Sequence, residues 1–267
     1  MYVTFLSDFG LQDDFVGTCH GVIKRIAPEA QIIDITHGIP PQEILQGALV
    51  LANTIEYMPV GAHLAVVDPG VGGARRPLAL RDRNGRHFVG PDNGLLVPAA
   101  ERAGIEVAHE LANPAYALES ISRTFHGRDL FAPAAAHLAR GVDIGELGPP
   151  LDPDALVRLD LPLPELRPDR ILGCVLYVDA FGNVALNLTR EHVNEAGIVP
   201  GTQVELELGG ERFFAVAART FADARPGDIM LYEDSYRNMS VAISGGNAAE
   251  MLHARAGQPI RINVGRI

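Results

Sequence analysis

Residues 2–35 read YVTFLSDFGLQDDFVGTCHGVIKRIAPEAQIIDI and contain three successive elements. Tyr2–Leu6 is an apolar run rich in β-formers, and it ends in the turn Ser7-Asp8-Phe9-Gly10. From Asp14 to Ile26 the apolar residues follow helical spacing, and the pattern stops at a proline. Gln31–Ile35 predicts a second buried strand. A strand, a helix and a second apolar strand in this order are typical of a parallel sheet.

Strands and helices continue to alternate up to about residue 150. We expect Pro40-Pro41 to open a second helix, and His63–Val67 predicts a third strand. Asn84-Gly85, between two β-rich runs, is a strong signal for a hairpin. We therefore predict an α/β domain over residues 1–150, in which a mixed, mostly parallel sheet lies between helices.

The second half of the chain has a different pattern of prolines and apolar residues. Six of the 19 prolines lie between Pro149 and Pro168, a density that excludes a helix or a central strand and predicts a linker over residues 151–169. Short apolar runs at close spacing then predict strands at 171–178, 184–188, 204–208, 213–217, 229–232, 241–244 and 260–264. We predict a smaller C-terminal antiparallel β-barrel-like domain over residues 170–267.

Composition limits the class of protein. Of 267 residues, 47% are hydrophobic and 21% charged, which are ordinary globular values and exclude intrinsic disorder. The formal net charge of −11 argues against nucleic acid or an anionic membrane as partner. Cys19 and Cys174 are the two cysteines, too few for a disulfide framework. With no signal-peptide pattern and no long apolar stretch, we expect a cytoplasmic protein.

Polar turns follow several of the predicted strands. They are Ser7-Asp8-Phe9-Gly10, the glycine-rich segment Asp68–Arg76 and Gly90-Pro91-Asp92-Asn93-Gly94. A fourth polar segment, Thr124–Asp129, precedes a helix that we expect at Leu130–Leu138. Open α/β sheets bind ligands at such strand ends, although aspartates there are often only turn formers or helix caps. The cluster Gly70–Gly73 lacks the spacing of nucleotide-phosphate loops.

The nine histidines raise the question of a metal site. None shows the pairing of two histidines around an acid that a zincin helix requires, so we expect no metal. His126 stands out because the adjacent Gly127 allows a ligand to approach closely.

Five motifs in series carry a resemblance to a known family. They are 7–10 (SDFG), 68–72 (DPGVG), 90–94 (GPDNG), 124–129 (TFHGRD) and 179–183 (DAFGN). Together they resemble the S-adenosyl-L-methionine (SAM) hydrolase (adenosine-forming) family, also called SAM hydroxide adenosyltransferases, which is related to fluorinase and chlorinase. The resemblance implies a two-domain fold, a homotrimer, and a site between the N-domain of one subunit and the C-domain of its neighbour.

The resemblance also implies roles for individual residues of the first domain. Asp8 accepts hydrogen bonds from both ribose hydroxyls, a task suited to a carboxylate. Asp68, Arg75 and His126 position the attacking water. Arg76 is an adjacent rival for the role of Arg75.

Residues of the second domain are implied to surround the base and the methionine. Asn183 reads an edge of adenine, Phe181 and Phe221 supply apolar faces, and the loop at Asn247 faces the base. Ser235 falls where the family binds methionine, but the following residues depart from the family's usual Ser-x-Gly, which leaves Arg237 as another partner for the carboxylate.

The implied reaction is SAM + water → adenosine + L-methionine, with SAM as the substrate and no cofactor. One alternative is a SAM-dependent halogenase, but those relatives replace the aspartate at position 68 with tyrosine and carry a serine near Gly127. A non-catalytic adenosine or SAM sensor and a metal-dependent nucleotide hydrolase are further alternatives. The set Asp68, Arg75 and His126 favours the hydrolase over the sensor.

Overall fold

The computed structural model describes residues 1–264 and divides the chain into two compact units. The first is Met1–Leu159, and the second begins at Asp160, so the division falls inside the proline-rich segment. No helix within residues 1–264 is both long and apolar enough to cross a membrane.

The first unit contains seven strands and four α-helices. In chain order they are β1 (Tyr2–Ser7), α1 (Phe15–Ile26), β2 (Gln31–Thr36), α2 (Ile44–Thr54), β3 (Ala62–Val66), β4 (Pro77–Asp82), β5 (His87–Pro91), α3 (Val97–Glu101), β6 (Ile105–Glu110), α4 (Ala132–Ala139) and β7 (Pro150–Leu151).

These strands form one mixed sheet in the order β2-β1-β3-β5-β4-β6-β7. Neighbours among β2, β1, β3 and β5 are parallel, whereas β4, β6 and β7 join through antiparallel pairings. Side chains of β1 alternate between two cores: Val3 and Phe5 face the cluster that includes α1 and α4, and Leu6 faces the one that includes α2 and α3. The predicted mixed sheet between helices is confirmed.

Two local expectations for the first unit were wrong. The second helix begins at Ile44 and not at Pro40-Pro41, because the chain first turns through Gln42, whose φ is 69°. The helix expected to begin at Leu130 is preceded by the π-helical turn Gly127–Phe131, and α4 starts at Ala132. Both irregular segments lie beside the site described below, where such backbone is often found.

Between Asp160 and residue 264, the second unit contains eight strands and two short α-helices. They are β8 (Glu165–Arg167), β9 (Arg170–Val178), β10 (Val184–Thr189), α5 (Arg190–Glu195), β11 (Gln203–Leu208), β12 (Glu211–Ala217), β13 (Ile229–Glu233), β14 (Asn238–Ile243), α6 (Ala248–Leu252) and β15 (Pro259–Asn263).

Seven of these strands close into a barrel. The order of strands in the sheet is β10-β14-β13-β12-β11-β15-β9-β8. β9 also pairs with β10, which closes a ring of seven strands and leaves β8 outside it. The alternating residues that face the interior, such as Val204, Leu206 and Leu208 of β11, form its core. One pairing departs from the predicted antiparallel pattern: β12 and β13 are parallel, because residues 218–228 carry the chain back before β13 begins.

Parts of the proline-rich segment pair with these sheets. Pro150–Leu151 pairs with β6, and Glu165–Arg167 pairs with β9. Prolines are compatible with both positions because each strand lies at the edge of its sheet.

Candidate active site

Parallel pairing brings two acidic residues to the same edge of the first sheet. β1 ends at Ser7 and its parallel neighbour β3 ends at Val66, so Asp8 and Asp68 leave the sheet side by side. The N–H of Asp8 donates to the carbonyl of Val66 at 3.3 Å. This is the carboxyl edge of the parallel strands, where open α/β sheets bind their ligands.

A cavity of about 300 Å³ opens at this edge. Its lining comes from the turn after β1, the segment before α2, the segment after β3 and the segment before the π-helical turn: Asp8, Phe9, Pro41, Gln42, Val66, Asp68, Pro69, Val71, Thr124, Phe125, His126 and Gly127. Of the predicted site residues, Asp8, Asp68 and His126 thus share one cavity.

Asp68, Arg75 and His126 form a continuous hydrogen-bonded chain. Nε of Arg75 donates to both carboxylate oxygens of Asp68 at 3.0 Å, and Nη2 donates to Oδ2 at 2.5 Å. The same Nη2 lies 2.7 Å from Nδ1 of His126. The side chains of Arg75 and Asp68 are only 10% and 5% exposed, so this charge pair is largely shielded from water.

The hydrogen bond from Arg75 determines the tautomer of His126. A guanidinium can only donate, so Nδ1 of His126 accepts from Arg75 and its proton resides on Nε2. Burial lowers the pKa of His126, and the positive charge of Arg75 lowers it further. The imidazole is therefore held neutral, as an acceptor toward Arg75 and a donor at Nε2.

The neighbouring Arg76 belongs to a different contact. Its Nε and Nη2 donate to Oδ2 of Asp92 at 2.8 and 2.5 Å, and Nη2 also donates to the carbonyl of Ala155 at 2.9 Å. Asp92 in turn accepts from the N–H of Val157 at 3.0 Å. Arg75 is thus the arginine in contact with Asp68 and His126, and Arg76 braces the chain around Asp92.

Asp8 is half-buried and bonded through its backbone surroundings. Its Oδ2 accepts the N–H of Gln42 at 2.9 Å, a bond that the left-handed turn at Gln42 makes possible. Burial raises the pKa of Asp8, the hydrogen bond from Gln42 partly opposes this, and the charge of Asp68 adds to the rise. Within residues 1–264, no cation pairs with this carboxylate as Arg75 pairs with Asp68.

The glycine-rich segment after β3 is held by a close backbone approach. Gly72 has a φ of 73°, and a Cβ there would lie 2.2 Å from the carbonyl oxygen of Arg123. The positive φ and the close carbonyl each exclude a residue with a Cβ at position 72. Gly72 therefore packs the loop that carries Arg75 against the segment that leads to His126.

Sequence reasoning missed the aromatic wall of the cavity. Phe9 and Phe125 both line it, and their rings pack edge to face at 5.8 Å between centroids, with Phe15 packed against both. Gln42 was missed as well. The available signal was the position of Phe9 and Phe125 within two of the quoted motifs, directly beside Asp8 and His126.

In the second unit, the predicted residues of the β9–β10 turn lie beside Asn247. Nδ2 of Asn183 donates to Asp179 at 2.8 Å, which leaves its Oδ1 and one N–H for other partners. The N–H of Ala249 donates to the carbonyl of Gly182 at 2.9 Å. Gly182 has a φ of 79°, and a Cβ there would lie 2.0 Å from Oδ1 of Asn247. Phe181 is 80% exposed.

Two further predicted residues lie in other loops of the barrel. Phe221 packs against Tyr232 with ring centroids 5.0 Å apart. Ser235 is exposed in the β13–β14 turn, which is closed by the N–H groups of Tyr236 and Asn238 donating to Asp234. Arg237 occupies the same turn with a φ of 67°.

Both units of the chain match models of one protein family. A model of the SAM hydroxide adenosyltransferase N-terminal domain matches residues 3–148, and a model of the C-terminal domain matches residues 173–261. The chain belongs to the SAM hydroxide adenosyltransferase family.

Individual members of this family cover nearly the whole chain. The "(R)-S-adenosyl-L-methionine hydrolase" of Salinispora arenicola is 45% identical, over 99% of this chain and 98% of its own. The protein of the same name from Thermus thermophilus is 40% identical over 97% and 98%. The "Fluorinase" of Nocardia brasiliensis is 29% identical over 98% and 97%. Similarity is therefore greater to the proteins named as hydrolases.

A solved structure confirms the fold class. The crystal structure of an uncharacterized conserved protein from Thermotoga maritima has a TM-score of 0.90 and 34% sequence identity, and covers 97% of this chain and 99% of that one. The two proteins therefore share both the mixed α/β unit and the barrel.

Proposed function

We propose that this protein hydrolyses SAM to adenosine and L-methionine. The observation that carries the proposal is the hydrogen-bonded set Asp68, Arg75 and His126, partly buried at the edge of a cavity that also contains Asp8. The relatives named as SAM hydrolases, at 40–45% identity over almost the full chain, support the same reaction.

The reaction is a displacement at C5′ of the ribose. The oxygen of water forms a bond to C5′ while the bond from C5′ to sulfur breaks, and its electron pair passes to sulfur. The sulfonium becomes the neutral thioether of methionine, and one proton of the water passes along its hydrogen bond to the carboxylate of Asp68 and from there to the solvent. Because the leaving group departs uncharged, no acid is needed to assist it, and catalysis consists of orienting and activating the water.

The hydrogen-bonded chain suits that task. Asp68 accepts a hydrogen bond from the water. The positive charge of Arg75 stabilises the negative charge that develops on the oxygen of the water. His126, neutral and protonated at Nε2, supplies a further donor. Since Arg75 is fixed by Asp68 and stacked 5.2 Å from the ring of Phe131, little reorganisation is needed during the reaction.

The remaining roles divide between the two units. Asp8 binds the two ribose hydroxyls. Asn183, Phe181, Phe221 and the loop at Asn247 surround adenine, and Ser235 with Arg237 lies toward the methionine.

We propose a homotrimer in which the second unit of a neighbouring subunit completes each site. The exposed ring of Phe181 is of the kind that partner surfaces cover. We also place the enzyme in the cytoplasm, acting without a cofactor.

The halogenase alternative receives less support from the cavity. The carboxylate of Asp68 is unsuited to hold a halide, because like charges repel. A side chain at position 127 would meet the ring of Phe9, since a Cβ there would lie 3.0 Å from Cζ of Phe9. A serine at this position would therefore require the aromatic wall to shift.

A product analysis tests the proposed function. The protein is incubated with SAM of each configuration at sulfur in heavy-oxygen water, with and without halide and with and without a chelator. We expect adenosine that carries the heavy oxygen, unlabelled methionine, and the same rate at saturating SAM in the presence of the chelator. A 5′-halo-5′-deoxyadenosine as main product would establish the halogenase instead, and absence of turnover with tight adenosine binding would establish a sensor.

A further inference from the structure

A second cluster of ligating side chains lies outside the cavity, between α1 and β2. His20 projects from α1, Asp34 from β2, and His37 follows β2 directly. Nε2 of His20 is 2.9 Å from Oδ1 of Asp34, and Nε2 of His37 is 3.1 Å from the same oxygen. One ligand atom from each of the three residues lies within 4.8 Å of the others. None of the three lines the cavity that contains Asp8.

His37 is buried with an unsatisfied nitrogen that faces this cluster. The residue is 5% exposed, and within residues 1–264 its Nε2 has no partner with hydrogen-bond geometry. A buried ring nitrogen without a partner is costly, so such an atom needs an explanation. The other nitrogen, Nδ1, lies 2.7 Å from Oγ of Ser7. When Nδ1 donates to that hydroxyl, the lone pair of Nε2 is directed at the cluster.

The ring planes are held by packing. The ring of Phe5 lies 4.7 Å from that of His37 and 6.0 Å from that of His20. A fixed imidazole with its second nitrogen bonded to a hydroxyl is the usual support of a metal-ligating histidine. The site is open on the other side, because the side chains of His20 and Asp34 are 30% and 41% exposed.

We propose that His20, Asp34 and His37 bind a divalent transition-metal ion of the Zn²⁺ class. Two ligand atoms at about 2.0–2.2 Å from one ion, at right or tetrahedral angles, are about 2.8–3.6 Å apart. The two separations from Asp34, 2.9 and 3.1 Å, fall in this range. Two imidazoles and one carboxylate are ligands that Zn²⁺ and its neighbours prefer, with water in the remaining positions.

The position of the site gives the ion a structural role. It ties α1 to β2 and holds His37, whose carbonyl accepts the N–H of Gly10 at 2.8 Å and whose ring contacts Ser7. Ser7 and Gly10 flank Asp8 in sequence, so the ion braces the turn that presents Asp8. It does not take part in the displacement at C5′. The metal that the sequence led us not to expect therefore lies away from the candidate active site.

Metal binding to the tag-free protein tests this proposal independently of SAM turnover. The protein is stripped with a chelator, and Zn²⁺ binding is measured by calorimetry, with Co²⁺ absorption as a spectroscopic probe. We expect one equivalent of ion, with imidazole and carboxylate ligands evident in the Co²⁺ spectrum. Because loss of even a supporting contact costs about 10–100-fold in affinity, His20→Gln, Asp34→Asn and His37→Gln each weaken binding at least about 100-fold.

The matched control is His253→Asn. His253 is exposed and has a φ of 51°, which asparagine tolerates, so this variant keeps the wild-type affinity. Zn²⁺ also raises the melting temperature of the wild type and of His253→Asn but not of Asp34→Asn, whose exposed position makes it the variant that folds most readily. Equal affinity in the wild type and the three ligand variants, or no saturable binding to the wild type, overturns the proposal.

Discussion

Nη2 of Arg75 donates to Asp68 and also lies 2.7 Å from Nδ1 of His126, so one guanidinium connects a carboxylate and an imidazole. This contact makes the protonation state of His126 depend on Arg75. It also makes the three side chains a unit, because removal of Arg75 breaks both contacts at once. The consequences can be measured in rates, stability and pH profiles.

Arg75→Ala and His126→Ala are expected to lower kcat by about 10²–10³ with a much smaller change in the SAM dissociation constant. The physical reason is loss of a preorganised polar group beside the charge that develops on the water. The double variant is expected to lose much less than the product of the two single effects, because the residues act together. Single-turnover kinetics and calorimetric titration of the same variants provide the two quantities.

Arg75→Lys serves as the charge-conserving variant. An ammonium cannot donate in two directions with the geometry of the guanidinium, so kcat falls although the charge is kept. Chemistry at the wild-type rate with weakened binding or stability would assign all three residues a structural role.

Arg76→Ala is expected to reduce stability and leave the chemistry of the folded enzyme intact. The side chain of Asp92 is 1% exposed, and the substitution removes its cationic partner. The side chain of Arg76 is 32% exposed, so the loss of stability is smaller than for a fully buried ion pair. We expect a loss of about 2–3 kcal/mol in the free energy of unfolding. For a chain of this size that is a decrease of about 5–10 °C in melting temperature. A kcat as low as that of Arg75→Ala would contradict the assignment of the two arginines.

Asp8→Asn is expected to weaken adenosine binding and to stabilise the free protein. Loss of the charged acceptor leaves the ribose hydroxyls poorly paired, at a cost of about 2–4 kcal/mol. Burial raises the pKa of Asp8, so the ionised form is disfavoured by folding and its neutral replacement is not. Calorimetry with adenosine and denaturant unfolding without ligand measure the two effects, and an unchanged affinity would reduce Asp8 to a turn residue.

The stability difference is expected to depend on pH. With a raised pKa, the folded state binds the proton of Asp8 more tightly than the unfolded state, so this group's contribution to stability is lost as the pH rises through the raised pKa. Asp8→Asn should therefore be more stable than the wild type near neutral pH, and the difference should vanish below about pH 4. Unfolding curves at a series of pH values test this sign.

The acidic limb of the activity profile is expected to separate into two groups. Burial and the charge of Arg75 lower the pKa of His126, so kcat should fall only below the ordinary imidazole value of about 6.5. Protonation of Asp8 should raise KM as the pH falls. His126→Gln should remove the step in kcat and keep the one in KM. A kcat profile that is unaffected by this substitution would show that another group titrates.

Complementation between subunits tests the proposed shared site. Arg75→Ala disables the first unit and Asn183→Ala the second, so each homogeneous protein is expected to be weakly active. If each site combines units of two subunits, coexpression of both variants in random trimers restores about a quarter of the sites. No recovery in the mixed oligomer, or a fully active monomer in light scattering, would contradict the shared site. The matched control pairs Arg75→Ala with His126→Ala, both in the first unit, and no recovery is expected.

Local patterns predicted most strands, the mixed sheet and the change to a barrel, because burial on alternating faces and turn-forming residues leave a signature within a few positions. The same patterns placed Asp8 and Asp68 at strand ends, but their approach depends on the pairing of β1 with β3, which only the tertiary structure shows. The start of α2 was misplaced because Gln42 adopts a left-handed conformation that contacts Asp8, an influence from outside its own segment. The parallel β12–β13 pairing likewise depends on a crossover without a local signal.

Side-chain partnerships between distant residues required the tertiary structure. Arg75 and Arg76 are adjacent and chemically identical, yet one contacts His126, 51 positions away, and the other contacts Asp92. His20 and Asp34 are 14 positions apart and showed no ligand spacing, but they meet across α1 and β2. Hydrophobic periodicity determines which face of an element is buried, whereas the direction of a polar side chain depends on the groups that folding brings within hydrogen-bonding distance.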